Sequence, residues 1–95
     1  MEDIKRGYKL IQFYATWSAP CRILKVTIDL IEKKNEGLTL ERIDIDSHPG
    51  LALQFGVRSI PALTLLREET EIWRHSGLIS EPELVSVLAK HLDNK

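Results

Sequence analysis

The apolar positions of this chain fall into short runs with changing periods, and each period predicts an element. Leu10 to Ala15 reads Leu-Ile-Gln-Phe-Tyr-Ala, a mostly apolar run of strand formers, the pattern of a central strand covered on both faces. Pro20 suits a first helical turn, where its missing N–H is no loss, and Ile23, Leu24, Ile28 and Ile31 then recur at helical spacing until Gly37 closes the helix. Leu38, Leu40, Ile43 and Ile45 alternate imperfectly, as in a second strand. The turn Asp46-Ser47-His48-Pro49-Gly50 follows, where Asp46 or Ser47 is placed to cap a short helix that stops at Gly56. Ala62–Leu66 and Glu71–His75 flank the charged turn Arg67-Glu68-Glu69-Thr70 and predict an antiparallel hairpin of two edge-type strands. Ser80-Glu81-Pro82-Glu83 fits a capping box, and Leu84, Val85, Leu88 and Leu92 give the last helix one apolar stripe. The order is strand, helix, strand, short helix, strand, strand, helix. A helical crossover between the first two strands implies that they run parallel with a right-handed connection.

Ninety-five residues at 43% hydrophobic content suffice for a single core, so one domain over residues 1–95 is expected, with no repeat or linker in the pattern. A formal net charge of −1, with both signs mixed along the chain, gives no field that would gather nucleic acid or an anionic membrane surface. No apolar run approaches the roughly 20 residues of a membrane span, and Met-Glu-Asp-Ile-Lys-Arg lacks the apolar core of a secretory signal, so a cytoplasmic location is the expectation. His48, His75, His91 and Cys21 lie on different predicted elements without ligand spacing, so neither a metal nor another cofactor is expected. With a single cysteine no internal disulfide can form, and redox chemistry would have to involve the sulfur of a second molecule.

Two segments carry a resemblance. Phe13-Tyr14-Ala15-Thr16-Trp17-Ser18-Ala19-Pro20-Cys21-Arg22 resembles the strand-end motif of the thioredoxin family, in which an aromatic-rich strand leads through Trp into a Cys-x-Pro-Cys helix start. Some forty residues on, Gly56-Val57-Arg58-Ser59-Ile60-Pro61-Ala62-Leu63 is similar to the family's second signature. Ile43-Asp44-Ile45-Asp46 and Gly77 also sit where the family has similar residues, and the likeness runs from about Lys9 to the end of the chain. The resemblance implies a minimal α/β thioredoxin fold, a mixed four-stranded sheet with a parallel pair and two antiparallel strands, flanked by helices. On sequence alone Pro61 reads as a trans proline opening a strand. The resemblance implies instead a cis bond after Ile60, facing the redox motif.

In that family the first cysteine of the motif, at the helix start, ionises readily and attacks a substrate disulfide; the second, three residues on, resolves the mixed disulfide. Here Ser18 holds the attacker's place and Cys21 the resolver's. A hydroxyl is far less acidic than a thiol and forms no disulfide, so the usual cycle has no first step at this position. Cys21 then reads as a partly buried, small apolar side chain. Gln12 stands where the family often has a buried proton-relaying Asp, Arg42 where a lysine often lies beside it, and Val26 where a helix-kinking proline is common. The likeness further implies a shallow substrate patch ringed by Trp17, Ala19, Ser59, Ile60 and Gly77, beside Pro20 and Pro61, with Trp17 exposed and Trp73 packed against the sheet. Expected partners are proteins offering disulfides or extended segments, together with a thioredoxin reductase. Two accounts of the chain stay open: a disulfide oxidoreductase with its attacking cysteine exchanged for Ser18, by engineering or otherwise, and a non-catalytic module that binds extended peptides.

Overall fold

A computed structural model describes residues 7–92; the N-terminal hexapeptide weighed above as a secretory signal lies outside the described residues. Strands β1 (Tyr8–Tyr14), β2 (Thr39–Asp44), β3 (Ala62–Arg67) and β4 (Thr70–Ser76) alternate with helices α1 (Ala19–Lys34), α2 (Pro49–Gln54) and α3 (Glu81–Leu92). The sheet order is β2-β1-β3-β4, with β1 and β2 parallel and the other two pairings antiparallel. This is the thioredoxin fold. The central place of β1 explains its unbroken apolar run, since it is covered on both faces.

One face of the sheet receives α1 and α3. Leu10, Leu63 and Leu65 pack there against Leu24, Ile28 and Ile31 of α1 and Leu84, Leu88 and Leu92 of α3. The other face carries Ile11, Phe13, Ile43, Ala62 and Leu66, covered by Leu51 of α2 and by Phe55, whose ring lies 5.3 Å from that of Phe13. Trp73 is half-buried against the first cluster.

Four local expectations are corrected. β3 is not an edge strand: it lies between β1 and β4, and all of its residues but Arg67 are buried. Ile23 and Val85 leave their predicted stripes and face solvent, because the apolar contact of each helix is a narrow i, i+4 or i, i+7 seam that neither residue joins. The α2 N-cap is His48, with no side-chain cap; the carboxylate of Asp44, rather than Asp46 or Ser47, stabilises the turn by accepting from the Asp46 N–H at 2.9 Å. The first helix also ends before Gly37, with Asn35 as its C-cap. The capping box at α3 forms as expected: the Glu83 N–H donates to Ser80 Oγ at 3.2 Å, and the Ser80 N–H donates back to Glu83 Oε1 at 3.3 Å.

Candidate functional site

The site lies where β1 ends and α1 begins. After the buried Ala15, the chain turns through Thr16 and Trp17, and the Ser18 N–H donates to Ala15 O at 3.2 Å. Ser18 is the N-cap of α1: its backbone is extended, and its Oγ accepts from the Cys21 N–H at 3.2 Å. A helix start leaves its first N–H groups unpaired, and the Ser18 hydroxyl satisfies one of them. Ser18 is 5% exposed and Cys21 1%, so the lone thiol is covered more fully than the expected partial burial.

Behind Cys21 lies a polar side chain inside the core, Gln12, which the exposed Arg42 of β2 reaches from the surface. Gln12 is 1% exposed, yet both ends of its amide are paired: Nε2 donates to Cys21 O at 3.2 Å, and Oε1 accepts from Arg42 Nε at 2.9 Å. Gln12 and Arg42 are register partners across β1 and β2, which brings them together. The Arg42 guanidinium lies 4.2 Å from the centroid of the Tyr14 ring, a cation–π arrangement. A neutral amide can tie the α1 start to the sheet but cannot hold or release a proton as a carboxyl does.

In front of Ser18 is a groove of about 560 Å³. Trp17, Ser18, Ala19 and Pro20 form one wall, and Ser59 and Ile60 belong to the other. Trp17 is 67% exposed and held by its indole N–H, which donates to Asp46 Oδ2 at 2.9 Å. Pro61 is buried behind the groove and follows a cis peptide bond from Ile60. Gly77 is not among the residues lining the groove; it adopts φ +93°, with its N–H donating to Pro61 O at 2.8 Å. That bond ties the Gly77 backbone to the Pro61 loop, and the space beside its Cα is open.

The sequence reading missed Ile45, Val57 and Arg58, which also line the groove. It also missed Arg74, an outward residue of β4 whose guanidinium pairs with Glu71 (Nε to Oε2, 2.7 Å) and donates to the carbonyls of Phe55 and Gly56. Those contacts fix the end of α2 just before the Val57–Ile60 wall. The Arg74 hydrogen bond holds the Glu71 carboxyl below the usual carboxylate range against a smaller opposing effect of burial. A second hollow, of about 490 Å³, lies over the start of β1 and β2, but its lining includes no cysteine, serine or histidine. Among the described residues no group of three or more His, Cys, Asp or Glu side chains is placed to hold a metal, and no helix is long and apolar enough to cross a membrane.

A covered helix-start position, a buried thiol three residues on and a proline loop facing both across a groove define the site of a thioredoxin-fold protein. Comparison with known proteins agrees: the sequence matches the family description "Thioredoxin" over residues 2–90. It is 36% identical over 90 residues to the thioredoxin of Chlamydia muridarum, covering 95% of this chain and 88% of that one. It is 32% identical over 92 residues to the thioredoxin of Staphylococcus haemolyticus, covering 96% and 88%. Among solved structures, a mutant thioredoxin from Halobacterium salinarum superposes with a TM-score of 0.87 at 26% identity, covering 95% of this chain and 79% of that one. The chain belongs to the thioredoxin family. It is a thioredoxin-like protein of the redox class.

Proposed function

We propose that this chain is a disulfide-exchange domain, spanning all 95 residues, in which Ser18 occupies the attacking position, so that as written it engages protein substrates without turning them over. The observation that carries the reading is the Ser18 hydroxyl at the N-cap of α1, engaged by the Cys21 N–H at the mouth of the groove. A thiolate at such a helix start is stabilised by unpaired N–H groups and the helix dipole, and it is the thiolate that attacks. A serine hydroxyl gains a capping bond there but no nucleophile for disulfide sulfur. Cys21, in the resolving position, has no mixed disulfide to resolve. Trp17, Ala19, Pro20, Ser59 and Ile60 give the groove an apolar lip for an extended segment of a partner, whose backbone would pair with the chain ahead of Pro61. Gly77 contributes by holding the Pro61 loop. With a cysteine in place of Ser18 the domain would reduce protein disulfides in the cytoplasm, recharged by a thioredoxin reductase.

One observation favours a second reading, in which the domain binds extended peptides and was never meant to exchange disulfides. The buried relay position holds Gln12, a neutral amide with both ends satisfied, so no carboxyl there can take the proton from Cys21. Restoring the dithiol separates the two. If Ser18→Cys reduces a disulfide-bonded model protein in the presence of excess dithiol while the chain as written does not, the groove and Cys21 are competent and Ser18 alone silences the site. If the folded Ser18→Cys variant is equally inactive, the binding-module reading stands.

A further inference from the structure

The outer face of α1 carries an apolar seam that the fold leaves uncovered. Ile23, Val26 and Leu30 are 59%, 62% and 40% exposed, although Leu24, Ile28 and Ile31 of the same helix form part of the core. Their spacing of three and then four residues places them in one line along the helix, as in the a and d positions of a coiled-coil seam. Among the described residues, the other large exposed aliphatic side chains, Leu53, Leu78 and Val85, are single residues on separate segments, which is ordinary for a surface. A line of three on one helix is not.

The charges beside the seam indicate what covers it. Arg22 and Asp29 both flank the same side, seven residues apart. When two copies of α1 are laid antiparallel about a twofold axis between Lys25 and Val26, residue 22 of each copy falls level with residue 29 of the other. Like flanks face each other in that arrangement, so Arg22 meets Asp29 at both ends of the contact while Ile23 and Val26 interleave between them and Leu30 packs one residue beyond. A parallel pairing would instead set Lys33 of one copy against Lys33 of the other. Arg22 is exposed and engages Thr16 O only through Nη1, and Asp29 meets Lys25 in an exposed ion pair that leaves room for a second cation.

We propose that the exposed α1 seam is a self-association surface, on which a second copy of this chain docks antiparallel, with Arg22 and Asp29 setting the register. Three aliphatic side chains per copy cover much less than the roughly 800 Å² per partner of a standard stable interface, so the dimer is weak and depends on concentration. The seam runs from the α1 start, so docking brings the C-terminal turn of the second copy's α1 up to the Trp17 lip of the groove.

Sedimentation velocity from micromolar to millimolar concentration tests this, with a thiol reductant present so that no Cys21-linked dimer contributes. The expected result is a mass average that rises toward the dimer with concentration. Val26→Glu should remain a monomer throughout while keeping the circular dichroism spectrum of the parent. Arg22→Asp or Asp29→Arg should each weaken association about tenfold, and the double swap Arg22→Asp, Asp29→Arg should recover it. A chain that is monomeric at every concentration overturns the proposal and leaves the seam to a different protein. Dimerisation unaffected by Val26→Glu, or not recovered by the double swap, overturns it as well.

Discussion

Replacing Ser18 with alanine removes one oxygen, the acceptor for the Cys21 N–H at 3.2 Å. At an exposed helix start water would take its place, and the loss of a Ser N-cap there costs about 0.5–2 kcal/mol. Ser18 is only 5% exposed and Cys21 1%, so the N–H left behind has poor access to water. A buried donor without a partner costs about 1–3 kcal/mol, which puts the expected loss near 2 kcal/mol, at the top of the N-cap range. For a domain of this size that corresponds to a fall in melting temperature of roughly 8–16 °C. Urea unfolding followed by Trp fluorescence should show a lower midpoint with an unchanged slope, since the surface exposed on unfolding is the same. A loss below about 0.5 kcal/mol would refute the reasoning, for it would mean that the cap carries no more than an exposed one. The same argument predicts that Ser18→Cys is also less stable than the chain as written, because a thiol accepts a hydrogen bond only weakly.

The remaining predictions concern the thiol, the polar pair behind it and the groove support. Cys21 should react slowly with a thiol-labelling reagent in the native state and rapidly once unfolded, because its side chain is 1% exposed; rapid native labelling at neutral pH contradicts the burial. Gln12→Leu should cost about 1 kcal/mol in denaturant unfolding, since it removes the buried link between Cys21 O and the exposed Arg42, whose guanidinium can turn to water; a neutral outcome would show that the link carries no stability. Glu71 is held below the usual carboxylate range in the folded state, so its pairing with Arg74 stabilises the fold above the ordinary glutamate pKa of about 4.3 and is lost as pH falls through the lower folded value. Both side chains are about one-third exposed, so the effect is under about 1 kcal/mol. The difference in melting temperature between the parent and Glu71→Gln should vanish in acid; a difference that grows as pH falls reverses the sign and refutes the account.

Most elements were legible from their apolar runs, even where, as in β2, the alternation is imperfect. The run through Phe13 could only suit a strand covered twice, and Ser80 with Glu83 announced the start of α3 before any neighbour was known. The status of β3 was not legible, because a short apolar run next to a charged turn looks the same in the middle of a sheet as at its edge. Ile23 and Val85 failed for the same kind of reason: helical spacing tells which residues share a side, but not how wide the contact with the sheet is. At the site, the Trp17-to-Cys21 segment and the Ile60-Pro61 pair could be named from local motif alone. Ile45, Val57, Arg58 and the Arg74 brace are brought to the groove by the crossing of separate elements, and no local pattern marks them. Gly77 meets the site through its backbone, its N–H donating to Pro61 O, a contact that no side-chain pattern in the sequence could mark.

The central claim is that position 18 is where a substrate disulfide is attacked and that only the nucleophile is missing. Moving the single cysteine tests it most directly: the double variant Ser18→Cys, Cys21→Ser and the chain as written are each incubated with a disulfide-bonded model protein without reductant, and covalent adducts are weighed by mass spectrometry. The account predicts a mixed disulfide that accumulates with the double variant, which has no resolving thiol, and none with the chain as written, whose Cys21 is covered. Adducts formed equally well by the chain as written, or absent from a folded double variant, would contradict it.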